Sequence, residues 1–150
     1  MFKIGIIEKI HEDGIKLLEK HPNFEFELIE NISKENLIKK LPNFDGITLR
    51  VAELGSEILE HCKKLKVISR HGVGYDNLDT KYLKKNNITL LITATANAVS
   101  VAEHVMYMML SLSKGITDYD KAVRSGNFKK NVNKIETHEL LNKEILIAGF

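Results

Sequence analysis

The chain has 150 residues, 43% hydrophobic and 28% charged, enough to bury one core and keep a solvated surface. Its 22 basic and 20 acidic residues leave a net charge of +2, too balanced for an electrostatic nucleic-acid partner, and no apolar run approaches a bilayer span. The lone cysteine, Cys62, has no internal disulfide partner, and the N-terminal apolar stretch is interrupted by Lys3, Glu8 and Lys9 rather than forming a signal-peptide core; both point to the cytoplasm.

Phe2 to Ile7 has the length of a buried strand. Ile15, Leu17 and Leu18 then recur at helical spacing until His21-Pro22. Phe24, Phe26 and Leu28 alternate with Glu25 and Glu27, which predicts a half-exposed strand near a sheet edge. Ser33 is placed to cap a helix through Lys40, and Gly46 to Leu49 form a third strand that ends on Arg50. Ser56 is read as the cap of the next helix, with Ile58 and Leu59 on one face. Val67-Ile68 form the fourth strand, ending on Ser69-Arg70; Asp79 caps a helix to about Lys85; Ile88 to Ile92 form the fifth strand. Four strand–helix–strand passes in succession imply a doubly wound α/β domain with a parallel sheet over residues 1–97.

The pattern changes over residues 98–126. Val99 to Arg124 read as one long helical stretch without proline, apolar on more than one stripe: Ala102, Val105, Met106, Met109 and Leu110 on one, Val101, Met108 and Leu112 on another. Such a helix must be covered on several sides, which favours a bridge between domains or a subunit contact. Residues 127–142 are polar and basic, a solvated linker. Residues 143–150 end in Ile145-Leu146-Ile147-Ala148-Gly149-Phe150, which reads as the unfinished first strand of a second domain.

In an open parallel sheet, ligands bind beyond the carboxyl ends of the strands. Arg50 and Arg70 stand at two such ends, and a guanidinium offers a planar fork of donors to a carboxylate or phosphate. Arg70 leads into His71-Gly72-Val73-Gly74-Tyr75-Asp76-Asn77. There Gly72 and Gly74 permit positive φ and close approach of the backbone, so successive N–H groups can form an anion-binding nest. Asn97 or Ser100 can cap the long helix, with Glu103 in capping-box position, and Asn97 also stands where an amide can orient a substrate carbonyl. His61-Cys62 lack the spacing of a zinc or redox site, and no metal site is expected. No P-loop, nucleophile elbow or metalloprotease motif is present.

Two blocks, Lys66-Val67-Ile68-Ser69-Arg70-His71-Gly72-Val73-Gly74-Tyr75-Asp76-Asn77-Leu78-Asp79 and Asn97-Ala98-Val99-Ser100-Val101-Ala102-Glu103-His104, resemble the D-isomer-specific 2-hydroxyacid dehydrogenases, and the resemblance covers essentially the whole chain. It implies a flavodoxin-like substrate domain over residues 1–97, an interdomain and dimerisation helix over 98–126, and an NAD-dependent oxidoreductase. By the same resemblance, Gly72, Val73 and Gly74 hold the substrate carboxylate, Asn97 lies near substrate and nicotinamide, and Ala98 and Val101 lie close to the cofactor. Gly149 corresponds to the first glycine of a dinucleotide fingerprint, while Arg50 and Arg70 resemble the anion-contacting arginines of phosphoglycerate-type members. The implied partners are a small anionic 2-hydroxy or 2-oxo acid, D-3-phosphoglycerate or a relative, and a second copy of the chain; nucleic acid and membrane are not among them. Two departures stand out: Ile92-Thr93-Ala94 replaces a frequent Asn-Thr-Pro, and His71 stands where phosphoglycerate-type members commonly carry alanine. The family's catalytic histidine, its paired acid and its carboxylate-binding arginine have no counterpart in these 150 residues, so no catalytic residue is assigned and the chain alone is expected to be inactive. The competing expectation is a stand-alone anion-binding or regulatory α/β module. A phosphoacceptor receiver is disfavoured, because Glu8-Lys9 and Arg50 stand where its acidic residues belong.

Overall fold

Five segments, Phe2–Ile7 (β1), Phe24–Ile29 (β2), Gly46–Leu49 (β3), Val67–Arg70 (β4) and Thr89–Ile92 (β5), pair only in parallel, in the order β2-β1-β3-β4-β5, in the computed structural model, which describes residues 1–148. This is the flavodoxin-like doubly wound order, with its topological switch between β1 and β3. The charged–apolar alternation of Phe24 to Leu28 corresponds to the sheet edge, where β2 lies.

The register decides which side chains meet. Ile47 lies beside Gly5 on one flank and Ile68 on the other, and Leu49 beside Arg70. Since side chains alternate across a strand, Ile7, Ile29, Ile47, Leu49 and Ile68 can share a face. They join one buried cluster with Leu37, Leu41, Phe44, Ile58, Leu59 and Leu83. Gly5 is needed in that layer, because a Cβ there would stand 3.2 Å from the Phe44 ring. Burial of a residue the size of Phe44 contributes on the order of 2–3 kcal/mol.

The crossover helices are Glu12–Glu19 (α1), Lys34–Lys40 (α2), Ser56–Leu59 (α3) and Thr80–Lys85 (α4). Two expected caps form: the Ser33 hydroxyl accepts from Asn36 N–H at 3.4 Å, and Asp79 Oδ1 accepts from Tyr82 N–H at 2.9 Å. Ser56 does not cap α3. Gly55 occupies the N-cap, and Ser56 is the first helical residue. Within α1, Leu17 is exposed although it was read as part of the apolar set; only Ile15, Leu18 and Gly14 are half-buried.

The chain divides into two units, Met1–Thr95 and Ala96–Phe150. In the second, the expected single helix is two: Ala98–Ser113 (α5) and Ile116–Arg124 (α6). The break falls at Gly115, whose φ of 57° is left-handed and ends α5 in the manner of a glycine cap. A Cβ there would also meet Ile135 Cγ2 at 2.8 Å. A short helix, Phe128–Asn131 (α7), interrupts what was read as linker. Ile145 to Ala148 form no strand. A strand exists by pairing, and no neighbour is present for this one among the described residues. Gly149 and Phe150 lie outside the described residues. No helix among the described residues is long and apolar enough to cross a membrane.

Candidate functional site

Three loops meet at the carboxyl ends of the sheet in the first unit. The loop after β1 begins at Glu8, the loop after β3 carries Arg50, Val51 and Ala52, and the loop after β4 carries His71 to Asn77. The β3 and β4 loops are held by backbone pairing: His71 N–H donates to Leu49 O at 2.7 Å, and Leu54 N–H donates to Asn77 O at 2.9 Å. Side chains add to this. Asn77 Nδ2 donates to Ala52 O at 2.7 Å, and Glu8 Oε2 accepts from Val51 N–H at 2.7 Å and from Ala52 N–H at 3.1 Å.

Val51, Arg70, Gly74, Asp76 and Asn77 line a cleft of about 220 Å³. Arg70 and Gly74 therefore come together, as the positions of β4 and its loop lead one to expect. Arg50 does not line this cleft; its guanidinium Nη1 donates to Lys9 O at 3.2 Å. The reason is local: residues past Leu49 leave the sheet, so Arg50 follows the loop toward the β1 end instead of β4. Arg70 folds back on its own loop, where Nη1 donates to His71 O and Nε is buried without a partner.

Of the two glycines, only Gly72 has positive φ, at 147°. A Cβ at Gly72 would displace the Arg70 guanidinium, the mobile end of a long side chain, so it is the backbone conformation that requires glycine here. Gly74 needs no special φ, contrary to expectation; its role is openness, since a Cβ there would meet only Asp76 Oδ2, at 3.9 Å. Among the described residues, the N–H groups of Val73 and Gly74 donate to no protein acceptor, and both residues are exposed. Backbone donors left free beside an arginine are suited to an anion. Asp76, on the same wall, opposes a second negative charge and limits how far an anion's far end can turn toward it.

Asn97, Ala98 and Val101 belong to the second unit. Asn97 takes the N-cap position of α5 but its side chain makes no capping bond, so the amide is free for another partner. Ser100 lies inside the helix and forms no capping box. Ala98 and Val101, in the first turns, are exposed. Sequence reasoning passed over Glu8, Val51 and Asn77. The one available signal was Glu8, an acidic residue immediately after the first strand of a doubly wound sheet.

The comparisons with known proteins agree with the topology. Residues 4–146 match the family described as D-isomer specific 2-hydroxyacid dehydrogenase, catalytic domain. The chain is 31% identical over 150 residues to the D-3-phosphoglycerate dehydrogenase of Methanocaldococcus jannaschii, covering 99% of this chain and 28% of that protein. It is 30% identical to the hydroxypyruvate reductase of Thermotoga maritima, covering 99% of this chain and 48% of that one. Among solved structures, the NAD+-bound 3-phosphoglycerate dehydrogenase of Entamoeba histolytica is similar at a TM-score of 0.67 and 32% identity, over 73% of this chain and 38% of that one. The chain thus spans less than half the length of these relatives. With the match running through every strand of the sheet and both glycine-loop and helix-start blocks, this chain belongs to the D-isomer specific 2-hydroxyacid dehydrogenases.

Proposed function

We propose that the chain is the substrate-recognising portion of an NAD-dependent oxidoreductase acting on the CH–OH group of a D-2-hydroxy acid, D-3-phosphoglycerate or a related anionic acid. The observation that carries this reading is the pair of unfilled backbone donors at Val73 and Gly74 in the loop after β4, with Gly74 lining the cleft that Arg70 also lines. In it, Gly72 gives the loop the turn that exposes those donors, which take the substrate carboxylate, and Arg70 offsets its charge. Arg50, one residue past the adjoining strand, is the second cation available to a more distant phosphate. Asn97, in the second unit, is the residue that the family resemblance assigns to the reacting carbonyl or hydroxyl, and its amide is unengaged.

Part of a nicotinamide site fits the described residues. The exposed small and apolar Ala98 and Val101 at the start of α5 suit the flat face of such a ring. The cofactor, when bound, supplies the hydride acceptor or donor. Gly149, the expected fingerprint glycine, lies outside the described residues.

Proton transfer in this chemistry needs a general base, most often a histidine tuned by an acid. Among the described residues, the histidine–carboxylate pairs are His11–Asp13, His61–Glu60 and His138–Glu136, and none of these lines the cleft. The 150 residues therefore bind an anionic acid without turning it over. The test is a calorimetric titration with D-3-phosphoglycerate, and an assay for NADH formation with a panel of D-2-hydroxy acids. Binding without turnover is expected, with affinity reduced about tenfold in Arg70→Ala, the order of one charge-assisted hydrogen bond. Turnover by these residues would overturn the division of labour, and absence of binding would overturn the site.

The reading extends to a homodimer through α5. Val99, Met106, Tyr107 and Leu112 are each at least half exposed, and Ala122 is the one buried apolar residue among those described in the second unit. An apolar helix in water calls for a covering surface. Sedimentation showing a monomer at micromolar concentration would oppose it.

A further inference from the structure

Glu8 is the residue of the first unit whose position the fold does not explain by itself. Among the described non-glycine residues only Glu8, Asn87 and Asn142 have positive φ. Asparagine tolerates that region; glutamate does not readily enter it. The left-handed turn at Glu8, φ 67°, occurs at the carboxyl end of β1, beside the switch between β1 and β3 where a doubly wound sheet opens its crevice. It brings the carboxylate to the loop after β3, 43 and 44 residues away in sequence, where Oε2 accepts from both Val51 and Ala52 N–H. Those two amides belong to consecutive peptide groups, so one oxygen holds two adjoining peptide planes.

The carbonyl side of the same stretch is also held. Asn77 Nδ2 donates to Ala52 O at 2.7 Å and to Arg50 O at 3.4 Å. The loop is thus gripped on its N–H side by Glu8 and on its carbonyl side by Asn77, while Arg50 Nη1 ties back to Lys9 O. Val51, between the two grips, is one wall of the cleft that Arg70 and Gly74 also line. A carboxylate placed so near a proposed anion site would repel the ligand if it were free to turn. The two amides keep the carboxylate turned onto the loop.

We propose that Glu8 is a positioning residue: it locks the loop of Arg50, Val51 and Ala52 from the β1 end, and so sets the wall of the anion cleft without touching the ligand. This rests on the substrate reading given above. Glu8 needs only to accept, so glutamine, which keeps an acceptor oxygen, substitutes for it, and alanine does not.

The experiment uses the 150-residue chain and its Glu8→Ala and Glu8→Gln variants, with amide exchange followed by NMR and D-3-phosphoglycerate as the probe. In Glu8→Ala, exchange at Val51 and Ala52 is expected to rise about tenfold or more, while amides of β4 and α4 keep their protection; Glu8→Gln stays near the parent. D-3-phosphoglycerate affinity falls about tenfold in Glu8→Ala and less than threefold in Glu8→Gln. Unchanged exchange at both amides in a folded Glu8→Ala overturns the lock, whatever the ligand does. Faster exchange with undiminished affinity overturns the role in binding. Should the parent chain fail to bind while the exchange arm behaves as expected, it is the substrate reading that fails, and the link from lock to ligand fails with it.

Discussion

Asn77 reaches across 25 residues of sequence to donate its side-chain amide to Ala52 O at 2.7 Å, while its own carbonyl accepts from Leu54 N–H at 2.9 Å. One residue of the glycine loop thereby stitches the ends of β3 and β4 together. Removing the donor in Asn77→Ala is expected to cost about 1 kcal/mol in urea unfolding, the net worth of a half-buried hydrogen bond. Asn77→Asp is expected to cost more, about 2 kcal/mol at neutral pH, because a carboxylate would face the Ala52 and Arg50 carbonyls with no proton to offer. An aspartate variant as stable as the alanine variant would show that the amide's donor role is unimportant.

The two glycines of the loop are expected to fail differently. Gly72→Ala puts a side chain on backbone held at a φ of 147° and pushes the Arg70 guanidinium from its place. It should lose about 1–3 kcal/mol of stability, and anion affinity with it. Gly74→Ala adds a methyl that meets only Asp76 Oδ2, at 3.9 Å, so stability should move by less than about 0.5 kcal/mol. That methyl still projects where the backbone must approach the ligand, and affinity is expected to fall alone. Thermal melts paired with calorimetric titrations separate the two, and a Gly74→Ala protein with parental affinity would remove Gly74 from the contact surface.

Cys62 offers a different kind of readout. Burial in the core raises its thiol from the usual 9.0 to about 11, with nearby Lys63 pulling slightly the other way. Little thiolate is available at pH 8, so a disulfide exchange reagent should modify the native chain only as fast as it opens, and the unfolded chain at once. The sign for stability follows. The folded state holds the proton more tightly than the unfolded one, so this contribution is complete below about pH 9 and is lost as pH rises toward 11. Cys62→Ala should flatten that alkaline limb. Rapid labelling of native protein at pH 8 would contradict the buried placement.

What the sequence made legible divides along physical lines. Strand–helix alternation specified the parallel sheet, and the charged residues among Phe24 to Leu28 marked the edge strand, although burial there does not follow the alternation: Leu28 is exposed and Glu27 half-buried. The glycine loop was legible as a motif, yet not the different duties of Gly72 and Gly74, since both residues look alike until φ and neighbours are known. Gly115 was hidden inside a helical pattern that ran through it, although a lone glycine is a common helix end. Arg50 and Arg70 looked equivalent as strand-end cations; a one-residue offset in the register sends them to different surroundings. Glu8 is visible in the sequence only as an acidic residue after the first strand; what it holds is not, because its partners are backbone amides, and every residue but proline has one.

Glu27, on the edge strand, accepts from Lys40 Nζ at 2.6 Å and lies 3.6 Å from Lys3 Nζ. The Lys40 hydrogen bond, the largest effect, holds its carboxyl below the usual 4.5; burial opposes it next, and the charges of Lys40 and Lys3 add to the lowering. A carboxylate favoured in the folded state stabilises the fold above its unfolded value, and that stabilisation disappears as pH falls through the folded one. Because about a third of the Glu27 side chain is exposed, at 34%, solvent screening keeps the contribution under about 1 kcal/mol. Glu27→Gln should therefore melt slightly below the parent at pH 7, with the gap closing as the medium is acidified beneath 4.5 and narrowing in molar salt. A gap that persisted unchanged in acid would show that the difference does not arise from the ionised carboxylate and would remove the Lys40 and Lys3 pairing as its source.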